Sequence, residues 1–248
     1  MNIKTPMPIL FSKEDINSRF KDEYQYRNWI YSRLKRGQIR KIRNNLYALV
    51  DISTGHIYAN KFQIASKVTS TSFVSYHSAF EYYGLANQVF CDCSVGTVSK
   101  FREFIFDDTE FSCIFFSDTF DVVNKQMEKV KVTSLEKTVI DCIDNINLGG
   151  GIDEILNILS FIHYLNEDKL IAALRHYDKI ILYQKTGYML EHFNERLKLP
   201  DEFFEFCKSK LTNQVKYFLN EEYSNCAYNK KWQLIAPVNL LSRIYEGL

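Results

Sequence analysis

The sequence predicts an α+β protein: an N-terminal winged helix-turn-helix, then a larger mixed domain with an antiparallel sheet and a mainly helical C-terminal part. Three observations predict it. Between Tyr24 and Leu49 an amphipathic helical stretch, YQYRNWIYSRLKRG, runs straight into a short basic alternating segment, QIRKIRNNLYAL. A polar-faced helix followed at once by a small hairpin is the order of a winged helix-turn-helix. Extended runs then cluster before residue 133 and helical patterns after it, and strands grouped ahead of helices mark α+β. Finally, residues 1–50 hold eleven Lys/Arg against four Asp/Glu, a net of +7, whereas the whole chain is only +1 and residues 51–248 therefore carry −6. A basic head on an acidic body suggests a polyanion partner for the head. The plainer reading of such a charge run is a solvated helix beside an ordinary surface hairpin. The expected domains are 1–52, binding DNA, and 53–248, an α+β effector domain.

The elements follow in order. Ser12 is placed to cap a short first helix, with Glu14 and Asp15 in its first turn where the helix dipole favours acids. Phe11 and Ile16 have the spacing of a hydrophobic staple. In the second helix Tyr26, Ile30 and Leu34 repeat at i, i+4, i+8 beside Trp29 and form an apolar stripe. Its other face carries Tyr24, Asn28, Tyr31, Ser32 and Lys35. Gly37 stops it, because glycine takes the left-handed C′ conformation freely. In the hairpin Ile39, Lys41 and Arg43 are expected on one face and Arg40 and Ile42 on the other, around an Asn44-Asn45 turn. Helices are expected at 60–68 and 75–84 around a polar patch at Thr69–Ser72, with a brief strand at Phe73-Val74. Strands are expected at Val89–Val98, Arg102–Phe106, Glu110–Phe116 and Lys129–Val132. Helices should occupy 134–145, 151–164, 167–177, 179–196 and 201–210. Extended segments near 215–219 and 228–235 and a short last helix complete the reading.

Apolar and charged fractions of 46% and 25% are those of a soluble globular protein. No apolar run reaches the length of a membrane span and no signal-peptide core is present, so a cytoplasmic protein without a membrane partner is expected. The cysteines (91, 93, 113, 142, 207, 226) lack CxxC spacing, and free thiols are expected. Cys91-Asp92-Cys93 reads as a core strand before it reads as a soft-metal site.

Motifs for chemistry are sparse. Thr133-Ser134-Leu135-Glu136 matches a capping box, in which Glu136 reaches back to the helix start. Lys137 and Asp141 stand at i, i+4 and read as a helix-surface pair before a catalytic one. Gly149-Gly150-Gly151 lacks the Lys-Ser/Thr of a P-loop and reads as an inter-helix turn. The five histidines are scattered, and GxSxG, HExxH and any Gly-Ser dipeptide are missing. No cofactor and no enzymatic activity are expected.

Four blocks, in order, resemble a known family. Gly37 to Leu49 (G-x-I-x-x-I-x-x-x-L-Y-A-L), Tyr76-His77-Ser78-Ala79-Phe80-Glu81-Tyr82-Tyr83-Gly84-Leu85, the segment from Thr133 to Asp141, and Lys185-Thr186-Gly187-Tyr188-Met189-Leu190-Glu191 are similar to those of AbiEi-type antitoxins. The likeness spans about residues 10 to 195. One departure is Asn45, where relatives often have glycine in the wing turn. The resemblance implies a regulator with two roles. Its N-terminal domain would repress its own operon by reading inverted repeats in operator DNA. The rest would counter a cognate AbiEii-type nucleotidyltransferase toxin without a stable complex, as in type IV toxin–antitoxin systems of phage defence by abortive infection. Within the blocks Ser78, Lys137, Asp141, Tyr188 and Glu191 are the candidates for the antitoxin role.

For DNA, recognition helices place base contacts in their N-terminal part, which here means Tyr24, Gln25, Arg27 and Asn28. Lys35 and Arg36 at the helix end and Arg40, Lys41 and Arg43 on the wing are expected on phosphates or the minor groove. Two other readings stand beside this one. One is a DNA-tethered metal-dependent nuclease or transferase, using Asp107, Asp108 and Glu110. The other is a ligand-responsive repressor whose aromatic-rich second domain holds a small molecule.

Overall fold

The structure, a computed structural model, describes residues 6–219, 226–238 and 240. Mutual contacts divide the chain into two compact units, each assembled from separated segments. Residues 6–74, 91–120 and 124–132 form the first, and 75–90, 121–123 and those from 133 onward the second. The linear boundary expected at 52/53 does not coincide with this division. The reason lies in side chains of the head that close on residues after 60: Arg40 on Asp107 and Asp15 on Lys67.

In the first unit the head comprises β1 (Leu10–Phe11), α1 (Lys13–Ile16), a 3-10 turn (Asn17–Arg19), α2 (Glu23–Lys35), β2 (Ile39–Arg43) and β3 (Leu46–Leu49). The three strands pair antiparallel in the order β1-β3-β2. The expected staple is present: Phe11 and Ile16 are fully buried with Tyr26, Ile30 and Ile39. Phe20, Trp29 and Tyr47 close the same core, with the Phe11 and Tyr47 rings stacked at 5.8 Å.

Beyond the head come α3 (Lys61–Ala65), β4 (Phe73–Val74), β5 (Asp92–Thr97), β6 (Phe104–Phe106), β7 (Thr109–Phe115), β8 (Val122–Lys125) and β9 (Val130–Thr133). The sheet order is β6-β7-β5-β4-β9-β8. The expected antiparallel sheet is in fact mixed: β6/β7 and β4/β5 pair antiparallel, but β5/β7 and β4/β9 pair parallel. Alternation reports which face of a strand is buried, not the direction of its neighbour, so the sequence is blind to this. Asp107 and Asp108 both take left-handed φ (47° and 59°) and form the two-residue turn between β6 and β7, which accounts for the acids there. Gly96 on β5 admits the Phe73 ring, which a Cβ would meet at 2.3 Å.

The second unit is mainly helical: α4 (Tyr76–Tyr82), α5 (Leu135–Asp144), α6 (Ile152–Phe161), α7 (Glu167–Tyr177), α8 (Ile180–His192), α9 (Asn194–Leu197) and α10 (Asp201–Ser209). It closes with β10 (Lys216–Tyr217), β11 (Cys226–Asn229) and β12 (Leu234–Pro237), paired in the order β10-β12-β11. The short helix expected after these strands lies outside the described residues. α5 packs against α4, α7 and α8, and every residue from Glu136 to Ile143 is buried. Gly149–Gly151 form the expected turn before α6, with Gly150 and Gly151 at φ 92° and 95°. Among the described residues no helix is long and apolar enough to cross a membrane.

Candidate nucleic-acid interface

The start of α2 is built by its own side chains. Asp22 caps it, its carboxylate accepting from the Gln25 N–H at 2.8 Å. Gln25 in turn accepts from the Lys21 N–H at 3.1 Å, which bends its amide back over the first turn. Glu23 pairs with Lys13 and accepts from Arg27 Nε at 3.0 Å. The hydrogen bond from Lys13, then that from Arg27, holds its carboxyl below the usual range. Burial against the head core pushes the Tyr26 hydroxyl up to about 12. At the other end Gly37 (φ 64°) accepts the reversal as expected: its N–H reaches Leu34 O at 3.1 Å and the Gln38 N–H reaches Arg33 O at 3.0 Å, a Schellman closure.

One stripe residue departs from expectation. Tyr26 and Ile30 are buried, but Leu34 is 36% exposed, because it lines an open groove with Tyr31, Asn44, Asn45 and Tyr47. The groove holds about 400 Å³ between α2 and the hairpin. Lys13 and Glu23 also border it, a contribution of Lys13 that no local sequence pattern signals. Tyr24 and Tyr31 stand 73% and 68% exposed on the face of α2, with Gln25, Arg27, Asn28, Lys35 and Arg36 exposed alongside.

The hairpin does not alternate strictly. A bulge between Lys41 and Arg43 shifts the register, so Ile39 and Ile42 are both buried although three residues apart. This redirects the hairpin cations. Arg40 is half-buried, lies over the Phe106 ring at 4.7 Å and is held bidentately by Asp107 at 2.9 and 2.5 Å. Arg43 lies 5.2 Å from both the Phe101 and Phe104 rings, and burial lowers its pKa. Lys41 alone of the three is exposed, and it has no partner among the described residues. Asn45 takes the turn at φ 59°, the conformation glycine would take.

In the second unit four of the antitoxin candidates, Ser78, Lys137, Asp141 and Tyr188, are buried, whereas Glu191 is part-exposed. Ser78 is buried in α4. Lys137 and Asp141 are not the surface pair the i, i+4 spacing suggests: they are 2% and 1% exposed, because α5 has no solvent face. Lys137 Nζ donates to both Asp141 oxygens at 2.8 Å and to the Tyr177 hydroxyl at 2.6 Å, and that hydroxyl donates to Asp141 at 2.6 Å. Burial pushes the Asp141 carboxyl up against the opposing pull of Lys137. Burial, then Asp141, drives the Tyr177 hydroxyl up strongly. Ser134 rather than Thr133 caps α5, accepting from the Lys137 N–H at 3.2 Å. Glu136 therefore sits one residue too early to close the expected box, and accepts from the Asn166 N–H at 3.0 Å instead.

The Gly187-Tyr188…Glu191 block seats the C-terminal strands. Gly187 leaves room for the Trp232 ring, Glu191 accepts from Trp232 Nε1 at 2.8 Å and pairs with Lys231, and the Tyr188 hydroxyl donates to Pro237 O at 2.7 Å. A buried pair with no sequence signal joins His77 and Glu154 at 3.1 Å, and Glu154 also accepts from the Asn87 N–H at 2.8 Å.

No protein-family model matches this chain, and no curated protein does. A solved structure is similar: the Rv2827c protein from Mycobacterium tuberculosis, with a TM-score of 0.64 and 11% identity over 96% of this chain and 90% of that one. At that identity the likeness is one of fold.

Proposed function

We propose that this chain is a DNA-binding antitoxin that represses its own operon and is not an enzyme. In this reading the head is a winged helix-turn-helix, α2 enters the major groove, and the β2–β3 hairpin is the wing. The observation that carries it is the exposed face of α2, where Tyr24, Arg27, Asn28, Tyr31 and Lys35 stand clear of the core, with Lys41 of the hairpin exposed as well, within a segment of net +7. Side chains of this kind supply bidentate base contacts, aromatic stacking and phosphate neutralisation. Arg40 and Arg43 support the wing from below, and Lys41 is its phosphate contact.

The second role rests on the four AbiEi-like blocks. The body counters a cytoplasmic nucleotidyltransferase toxin of the AbiEii type without binding it stably, and the operator is an inverted repeat upstream of the operon. The deciding experiment is a mobility-shift titration of the whole protein with DNA from upstream of its own gene, at two salt concentrations. A specific, salt-sensitive shift is expected; equal affinity for random DNA would remove the repressor reading. Co-expression with the adjacent toxin gene tests the other half, and unrelieved growth arrest would remove it.

A further inference from the structure

The first unit holds a second polar concavity, away from the α2 face. It is a cleft of about 590 Å³, within the range of small-molecule sites. Among the described residues three lysines line it, Lys67, Lys129 and Lys131, against one acid, Asp15. Ser70 and Gln126 add polar groups, and no aromatic side chain lines it among the described residues. The walls are tied in place. Lys131 N–H donates to Ser66 Oγ at 2.8 Å, Ser66 Oγ to Phe62 O at 2.8 Å, and Gln63 Nε2 to Glu128 O at 2.8 Å.

The charge in this cleft is unbalanced. Lys67 is answered by Asp15 at 2.8 Å, but among the described residues Lys131 Nζ finds a backbone carbonyl, Ser70 O at 2.9 Å, and no carboxylate. Lys131 is half-buried, and burial together with the nearby Lys67 charge pulls its ammonium below the usual lysine range. Lys129 takes φ 57° in the turn before β9, its N–H donating to Gln126 O at 3.3 Å, and is exposed where it lines the cleft. Lys131, partly desolvated, without a carboxylate partner among the described residues and close to the Lys67 charge, would be relieved by an anion.

We propose that this cleft binds a small phosphate-bearing anion, with Lys131 and Lys129 as its charged ligands and Lys67 drawn from Asp15 toward it. The hydroxyl and amide groups suit phosphate oxygens. The same chemistry reaches the protein either as a free phosphate compound or as the backbone of bound DNA, and the concavity favours the free compound.

The test uses the full chain and inorganic pyrophosphate, with sodium chloride matched for ionic strength as the control. Pyrophosphate is expected to raise the melting temperature and to bind with one-to-one stoichiometry by calorimetry. Lys131→Gln is expected to weaken it by about tenfold or more, as for loss of a charge-assisted contact, and the exposed Lys129→Ala to weaken it as well. Circular dichroism checks that Lys131→Gln is folded; if it is not, Lys129→Ala decides. No response beyond that to chloride, or unchanged pyrophosphate binding in the folded variants, overturns the proposal. So does a wild type indifferent to pyrophosphate whose Lys131→Gln variant loses affinity for DNA of every sequence, since the cleft would then be a backbone contact.

Discussion

Asn45 and Glu14, thirty-one positions apart, are locked together: the Asn45 amide donates to both carboxylate oxygens of Glu14, at 3.1 and 2.9 Å. The same amide accepts from the Lys13 N–H at 3.0 Å, so the hairpin turn also caps the first helix. A glycine would adopt the turn as well but hold nothing. Asn45→Gly should therefore lose only the tether, about 0.5–1.5 kcal/mol, and Asn45→Ala should lose a further 1 kcal/mol or so from the left-handed backbone. Urea unfolding of both variants checks this; equal stabilities would show that the backbone term is negligible there.

The same contacts give the head an acid sensitivity of defined sign. Glu14 is held below the ordinary carboxylate range, mainly by Ser12 and its own backbone N–H, then by Asn45. Burial pushes Asp15 up, but Lys67 and Ser12 outweigh it and the net direction is down. A carboxyl depressed on folding stabilises the protein fully above its unfolded pKa, and the gain disappears as pH falls through the folded value. Wild type should thus lose stability below about pH 4, the ordinary carboxylate region, and Lys67→Gln should lose less across that interval. Melting curves between neutral pH and pH 3 measure the difference; parallel curves would contradict it.

Readout and positioning should separate by residue. Arg27→Ala and Asn28→Ala are expected to cost about 1–3 kcal/mol on operator DNA and to blur its discrimination from random sequence. Lys41→Ala should weaken both DNAs alike and flatten the salt dependence. Arg40→Ala should act chiefly through the hairpin's seat on Asp107. In a double-mutant cycle the Arg40–Asp107 coupling should be about 0.2–1 kcal/mol, that of a partly exposed pair. If Arg40→Ala flattens the salt slope as much as Lys41→Ala does, Arg40 leaves Asp107 to reach phosphate.

The Lys137–Asp141–Tyr177 knot should behave as structure. Lys137→Met or Asp141→Asn alone strands a buried partner and should cost about 3–5 kcal/mol, whereas Lys137→Met with Asp141→Leu should recover much of that. Chemical denaturation gives the numbers. A folded Lys137→Met variant of undiminished stability that no longer protects against the toxin would assign the pair a functional role instead.

Gly187 sets a stricter limit. A Cβ there would lie 2.1 Å from the Trp232 ring, so Gly187→Ala must displace the indole or the helix and should cost about 1–3 kcal/mol. Trp232 is fully buried, and its displacement should redshift the tryptophan emission. Glu191→Gln keeps an acceptor for Trp232 Nε1 and should leave the emission in place.

Much of the architecture was legible in the chain itself because its signals are local. Gly37 ends α2, Asn44-Asn45 makes the turn, and the spacing of Tyr26 and Ile30 marks the buried face; each depends on residues within a few positions. The helices from 135 to 209 were legible for the same reason. What only the tertiary structure decided is set by partners distant in sequence. The bulge at Lys41–Arg43 sends Arg40 to Asp107 and Arg43 beside two phenylalanines, leaving Lys41 as the exposed hairpin cation. Lys137 and Asp141 present the same i, i+4 spacing whether a helix is exposed or enclosed, and the packing of three other helices around α5 makes the pair internal. Lysines 67, 129 and 131 carry no shared motif, and they meet only because α3 and the strand ending at Thr133 are neighbours in space. Local propensity acts over a turn of chain, whereas burial and charge pairing act through space, and in this protein the second set determines which cations stay exposed.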